Sequence, residues 1–197
     1  MAIEFEATYL DINKDNIRRK LEDIGARLTR SEYKQRRYNF DLQSLGRNFW
    51  EWVRIRDEGN KITMAYKNIS TGSSIEEQKE VEIEISDMDL GVEFMENLGA
   101  RMTNYSETLR ERWMFNSVEI DIDTWPYLDP YVEIEGKNKE DVIKVSESLG
   151  FDFKDAKFCG AGEIYEMKYG IHPDKISKKK VIHLTFDDPN PFIQNKF

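Results

Sequence analysis

Charged residues stand at every second position through most of the β-like segments of this chain, with apolar residues between them. Glu4 and Glu6 flank Phe5, and Arg54 and Arg56 flank Ile55. Glu80, Glu82 and Glu84 interleave with Val81 and Ile83, and Arg110 and Arg112 alternate with Leu109 and Trp113. Asp121 and Asp123 alternate with Ile120 and Ile122, and Glu133 and Glu135 with Val132 and Ile134. Side chains of a strand point to opposite faces in turn, so each segment has one charged and one apolar face. Two details go beyond an ordinary surface strand. The sign is sorted, each segment carrying almost pure acid or almost pure base. Several segments also lead into an amphipathic helix, which needs the apolar face to pack on. With helices over the apolar faces, the charged faces look into a shared space.

Composition limits what that space can serve. The chain has 197 residues, 39% hydrophobic and 34% charged, with a net charge of −9. This is enough for one domain with a full core. The acidic balance argues against general nucleic-acid binding, which wants a basic footprint. The one cysteine, Cys159, leaves no internal disulfide and points to a reducing, cytoplasmic compartment. The start, Met1 to Glu6, lacks a basic n-region and an apolar run, so it does not read as a signal peptide. No stretch approaches the roughly 20 apolar residues of a membrane span. His172 and His183 lie in the least patterned part of the chain, which argues against a His-based triad or zinc site.

Helical spacing predicts three helices. The first spans about Lys14 to Leu28, with Ile17, Leu21 and Ile24 aligned and Asn13 or Asp15 at its start. The second spans about Asp87 to Gly99, capped by Ser86, with Leu90, Phe94 and Leu98 on one face. The third spans about Lys139 to Gly150, capped by Asn138, with Val142, Val145 and Leu149 inward. Each carries a glycine at or near its end, Gly25, Gly99 and Gly150. A Glu-x-Glu strand precedes each helix, a weak internal repeat. Strands are predicted over Tyr33–Asp41, Phe49–Asp57, Lys61–Asn68, Glu77–Ile85, Thr108–Phe115, Val118–Thr124 and Tyr131–Glu135. About eight strands with three helices is too sheet-rich for a doubly wound fold. It predicts an α+β fold, a largely antiparallel closed β-barrel with helices packed outside. Residues 1–170 form the barrel domain, and 171–197 extend it as a lid, an edge strand or a tail that includes the run Lys178 to Lys180. Trp50, Trp52, Trp113 and Trp125 are expected to pack in the core or at the barrel rim.

The sorted charges imply a chemistry. Carboxylates sharing one cavity repel and raise one another's pKa unless cations sit among them. Their oxygens suit Mg²⁺, Mn²⁺ or Ca²⁺. The inward Arg54, Arg56, Lys67, Arg110 and Arg112 call for an anion, and guanidinium forks match phosphate oxygens. A cavity with acidic and basic walls therefore fits a metal–polyphosphate complex. No Gly-rich phosphate loop or dinucleotide fingerprint is present in the sequence, so phosphate recognition falls to side chains.

These residues resemble the CYTH family, the triphosphate tunnel metalloenzymes, which includes class IV adenylyl cyclases, thiamine triphosphatases and inorganic triphosphatases. Glu4-Phe5-Glu6-Ala7-Thr8 is similar to the family's Glu-x-Glu-x-Lys strand, with Thr8 where the family has lysine. Arg37 to Asp41, Val53-Arg54-Ile55-Arg56 with Lys67, Lys79 to Glu82, Leu109 to Trp113, Ile122-Asp123 and Pro130 to Glu135 follow the family pattern in order, across about residues 3–168. The resemblance implies that Glu4, Glu6, Asp123, Glu133 and Glu135 hold one or two Mg²⁺ or Mn²⁺ ions. It implies that Arg54, Arg56, Lys67, Arg110 and Arg112 bind the triphosphate. Glu80, Glu82 and Asp121 are accessory, and Lys67 and Tyr38 have catalytic roles, with Tyr38 positioning Lys67 or an attacking group. Thr8 is the main departure, and Lys67 is first in line to compensate for the missing cation. The implied substrate is ATP, tripolyphosphate or thiamine triphosphate, bound by a monomer or homodimer with no nucleic-acid or membrane partner. The first expectation is a cyclase that makes cyclic AMP and pyrophosphate. A triphosphate hydrolase and a catalytically weak nucleotide or polyphosphate binder are the alternatives.

Overall fold

Three helices each begin where a short polar side chain satisfies an amide that the helix leaves free. In the computed structural model, which describes residues 2–48, 50–69, 72–173 and 181–193, the Asn13 carboxamide accepts from Asn16 N at 3.0 Å and opens α1 (Lys14–Asp23). Asp87, one residue beyond the expected cap, accepts from Leu90 N at 2.8 Å and opens α2 (Met88–Asn97). Asn138 accepts from Asp141 N at 2.9 Å and opens α3 (Lys139–Ser148). Such caps contribute about 1 kcal/mol each. Helix α1 stops short of the predicted Leu28 because Gly25 turns left-handed at φ 78°. The chain then enters a strand at Arg27.

The strands are β1 (Ala2–Ile3), β2 (Phe5–Tyr9), β3 (Arg27–Asp41), β4 (Glu51–Asp57), β5 (Ile62–Ile69), β6 (Gln78–Ile85), β7 (Arg101–Phe115), β8 (Val118–Thr124), β9 (Tyr131–Gly136) and β10 (Ile182–Leu184). They form one curled sheet in the order β1-β6-β5-β4-β3-β7-β8-β9-β2, with β10 beside β7. Every ladder is antiparallel except β10 with β7. The hydrogen-bonded path is open, with β1 and β2 at its two ends. These ends are consecutive in the chain, separated only by Glu4, whose amide donates to the Gln78 carbonyl at 3.0 Å. The Gln78 carboxamide reaches the Glu6 carbonyl at 2.8 Å. The N-terminal chain thus touches both margins of the curled sheet.

Strands β3 and β7 are longer than alternation predicts, starting at Arg27 and Arg101 rather than Tyr33 and Thr108. Their pairing carries register shifts between Leu28 and Arg30, between Arg30 and Tyr33, and between Asn39 and Phe40, which break the period of two.

The apolar faces of β4, β8 and β9 point outward under helices, whereas Val81 and Ile83 of β6 are exposed. Ile120, Ile122, Val132 and Ile134 are fully buried beneath α1 and α3, against Ile17, Leu21, Val142 and Leu149. Burial of such a side chain is worth about 1.5–3 kcal/mol. Phe40, Val53 and Ile55 lie under α2, which buries Gly91 and Met95. Leu90, Phe94 and Leu98 share a face of α2, but that face is 63, 59 and 52% exposed. Gly91 sets the contact instead: a Cβ there would lie 2.7 Å from Ile85 Cδ1 and 3.2 Å from Ile55 Cδ1, so the helix seats through its glycine.

A fourth helix, α4 (Ala161–Tyr169), was not expected. Its buried residues are Ile164 and Tyr165, and its docking uses phenols: Tyr165 Oη donates to the Pro126 carbonyl at 2.7 Å and Tyr169 Oη to the Tyr127 carbonyl at 2.6 Å. Both rings stack on Phe192. Anchoring of this kind leaves little helical periodicity among aliphatic residues. Strand β10 adds the tail to the sheet opposite Asn104–Ser106. The run Lys178 to Lys180 lies outside the described residues. Among the described residues no helix is long and apolar enough to cross a membrane.

Candidate active site inside the curled sheet

The charged faces meet in a cavity of about 480 Å³, a size suited to a small ligand. Glu4, between β1 and β2, lines it with Glu6 of β2, Arg54 and Arg56 of β4, Lys67 of β5, Glu80 and Glu82 of β6, Arg110 and Arg112 of β7, and Glu133 and Glu135 of β9. Asp121 and Asp123 are buried in the wall behind them, 4 and 0% exposed. The alternate positions point away, as Glu111 does in pairing with Arg18 of α1 at 2.8 Å. The ladder therefore sorts the charges as the sequence alternation predicts.

The acids divide into two groups. Glu4, Glu6 and Glu135 each bring an oxygen within 4.8 Å of the others. The cause is register, since Glu6 sits directly opposite Glu135 in the β2–β9 ladder. Asp123 and Glu133 are not part of this trio. Asp123 takes Nε and Nη2 of Arg110 at 2.7 and 2.5 Å, and Glu133 takes Nη2 at 2.5 Å. Asp121 bridges Arg110 at 2.6 Å and Arg112 at 2.9 Å, and Arg112 also reaches Glu119 at 2.8 Å.

The opposite wall pairs differently. Lys67 lies between Glu4 at 3.0 Å and Glu80 at 2.9 Å. Arg54 contacts Glu80 at 3.1 Å and Glu82 at 3.3 Å. Arg56 contacts Glu58 at 2.8 Å and Glu82 at 3.4 Å.

Burial dominates the proton affinities of the trio's neighbourhood. It pushes Glu4 up to about 7, against the pull of Lys67. Burial, with Glu133 and Glu4 adding repulsion, raises Glu6 well above the usual carboxylate range. Burial also raises Glu133, although Arg110 pulls the other way. Glu80 goes down: burial opposes its charge, but Lys67 and Arg54 outweigh burial. Glu4 and Glu80 thus share one ammonium, and Glu4 is the member that holds a proton more tightly. Three converging carboxylates that offer oxygen donors only suit a hard divalent cation, which would also relieve the raised proton affinity of Glu4 and Glu6.

Two expected positions stand apart. Tyr38 faces away from the cavity, packing on Tyr105 with ring centres 5.0 Å apart and on the cluster beneath α2. The parity of β3 explains this, because Arg37, Asn39 and Asp41 take the inner face. Thr8 is 1% exposed, bridges to Lys157 through the backbone, and does not border the cavity. Sequence reasoning missed Arg37, Asn39, Glu119 and Tyr131 as lining residues, and Glu58 as the partner of Arg56. Alternation carried upstream from Asp41 would have found Arg37 and Asn39. Of the tryptophans, Trp50 and Trp52 border the cavity, Trp125 lines it while 6% exposed, and Trp113 belongs to the core under α1 and α3.

A curled antiparallel sheet with charged inner faces and helices outside defines the class of protein. The chain matches the CYTH domain over residues 2–157 and belongs to that family. No curated protein sequence matches it. Among solved structures, the PH1012 protein of Pyrococcus horikoshii OT3 is similar at 24% identity and a TM-score of 0.68, over 80% of this chain and 96% of that one. A candidate adenylate cyclase of Vibrio parahaemolyticus is similar at 14% identity and a TM-score of 0.68, over 84 and 98%. HpAC1 of Hippeastrum, a candidate adenylyl cyclase described as having a dominant triphosphatase activity, is similar at 15% identity and a TM-score of 0.57, over 85 and 96%. At these identities the likeness is one of fold.

Proposed function

We propose that this chain is a metal-dependent enzyme acting on a triphosphate inside the curled sheet, most like an adenylyl cyclase that converts ATP to cyclic AMP and pyrophosphate. The observation that carries this reading is the trio Glu4, Glu6 and Glu135 in the same cavity as Arg54, Arg56, Lys67, Arg110 and Arg112. Glu4, Glu6 and Glu135 would hold a divalent cation, Mg²⁺ or Mn²⁺, which when bound neutralises phosphate oxygens and eases departure of the leaving group. The bases bind the remaining oxygens and hold the chain of phosphates in line for attack. In the cyclase reaction the ribose 3′-oxygen bonds to the α-phosphorus, its proton is lost, and the bond to the bridging oxygen breaks to release pyrophosphate. Asp123 and Glu133 act through Arg110, fixing its guanidinium with five-donor geometry largely occupied. Trp50 and Trp52 at the cavity offer apolar surface to the organic part of a substrate.

Hydrolysis of the terminal phosphate is the second reading, favoured by the likeness to HpAC1. In either reading residues 1–170 work as one domain with 171–197 as its extension. The test is product analysis by ³¹P NMR with ATP, tripolyphosphate and thiamine triphosphate, each in Mg²⁺ and Mn²⁺. Cyclic AMP with pyrophosphate supports the cyclase, and orthophosphate supports the hydrolase. Binding without turnover sinks both and leaves a binding protein.

A further inference from the structure

Most of the cavity's bases are already neutralised. Arg54, Arg56, Lys67, Arg110 and Arg112 each have a carboxylate between 2.5 and 3.4 Å away. Arg37 is different. It is 4% exposed, lines the cavity, and has no carboxylate ion pair among the described residues. Its Nη2 donates to two neutral acceptors, Gln35 Oε1 at 2.5 Å and Thr108 Oγ1 at 2.7 Å. Its Nε is buried with no hydrogen-bond partner. The guanidinium carbon lies 4.4 Å from the centre of the Trp125 ring, which fixes the plane of the group.

The charges around Arg37 are mostly of its own sign. Arg56 is its ladder partner on β4, and Arg54 and Arg110 follow on neighbouring strands. Burial first, and then these three arginines, bring its pKa down to about 9, so it remains a cation at neutral pH. Asp123 offers the opposing field, but both of its oxygens are held by Arg110. A buried cation without a counter-charge is costly, and an uncharged side chain of similar length would remove the cost. Its position on the inner face of β3 directs that unmet charge to whatever fills the cavity.

We propose that Arg37 is an anion-binding residue, a guanidinium kept without a counter-charge so that a phosphoryl group of the ligand supplies it. This rests on the triphosphate reading above and adds to it a residue that no ion-pair pattern marks. The neutral contacts to Gln35 and Thr108 and the Trp125 ring orient the group without cancelling it. One consequence separates a ligand-binding role from a scaffolding role. Removing the charge should stabilise the empty protein and weaken the complex, whereas loss of a scaffolding residue destabilises the empty protein and leaves affinity alone.

The experiment uses the full chain and imidotriphosphate, whose P–N–P bridges resist hydrolysis, with Mg²⁺. Binding is read by calorimetry and stability by thermal melting without ligand. Arg37→Met is expected to melt at or above the wild type and to bind roughly 10- to 100-fold more weakly, the range for a lost charge-assisted hydrogen bond. Arg37→Lys should recover part of the affinity. Undiminished affinity in Arg37→Met, with Arg54→Ala weakened, would overturn the assignment of Arg37 alone. No binding by the wild type would overturn the triphosphate reading and this assignment with it. If Arg37→Met melts below the wild type, Arg37→Lys decides: affinity no better than that of Arg37→Met overturns the proposal.

Discussion

Arg110 and Glu6 lie in one cavity, yet their surroundings are opposite. On the β7–β8 wall, Arg110 faces Asp123 and Arg112 faces Asp121 directly across the ladder, and Glu133 and Glu119 complete the set. At the β2–β9 margin, Glu6 faces Glu135, a like-charge pair of the kind that destabilises a sheet, and Glu4 joins them. On the first wall each acid has an arginine partner, and these ion pairs hold its shape. The second stores repulsion that a cation would relieve. In the proposed reading, framework and binding function are separated within a single sheet, and the separation lies in which charges the register places opposite each other.

The largest expected effect comes from breaking the ion-paired wall. Arg110→Met strands Asp123, which is fully buried, together with Glu133. Leaving such charges unpaired costs about 3–5 kcal/mol, which urea unfolding would read directly. A loss below about 1 kcal/mol would mean that this wall is not held by its ion pairs.

Next comes the repulsive margin. Glu6→Gln removes one of three donors, so metal-dependent turnover should fall by roughly 100-fold or more, beyond the loss typical of residues that only support a ligand. The same variant should melt higher than the wild type in EDTA, because Glu6 no longer repels Glu4 and Glu133. Retained turnover at saturating Mg²⁺ would remove Glu6 from the metal site.

A smaller effect is expected from pH. Burial raises Glu4 and Glu119 to about 7 and also raises Glu6 and Glu133, so the folded protein holds protons that the unfolded chain, titrating near about 4.3, has released. Their contribution is therefore present below the unfolded value and is lost as pH rises through about 7. Carboxylates with lowered values, such as Glu58 and Glu80, act below this window. In EDTA the melting temperature should fall between about pH 5 and about pH 8, by about 2–4 °C for each kcal/mol lost, and Mg²⁺ should restore it at the upper end. A melting temperature flat across that window would mean the margin is not strained.

The smallest effect belongs to a residue outside both walls. Tyr38→Phe should change turnover by no more than about two-fold, because the phenol faces away from the cavity. A loss beyond tenfold would return Tyr38 to the site.

Legibility in the sequence followed locality. Helices α1 and α3 and the caps Asn13 and Asn138 could be read because a cap and a 3.6-residue stripe involve neighbours within a turn or two. The inner faces of β4, β6, β8 and β9 could be read because alternation is equally local. Helix α4 could not, since its anchors are phenols that meet the Pro126 and Tyr127 carbonyls and Phe192. The outward face of α2 could not either, because the close approach at Gly91 depends on Ile55 and Ile85 of other strands. In the site, Glu4, Glu6, Asp123, Glu133 and Glu135 lie on inner faces or in the wall behind them, while their division into a trio and an Arg110 set was not visible in the sequence.

Alternation along the chain determined which face each charge takes, because successive side chains of a strand must point opposite ways. Strand order and register decided which charges meet. Arg110 finds Glu133 at a separation of 23 residues and Lys67 finds Glu4 at 63, while Arg37 sits among arginines with no acid paired to it among the described residues. Neutralisation depends on distances of a few ångströms between strands far apart in sequence. The same alternating charges could therefore have made a closed network of salt bridges, and only the curl of the sheet left one acidic margin and one buried guanidinium open to a ligand.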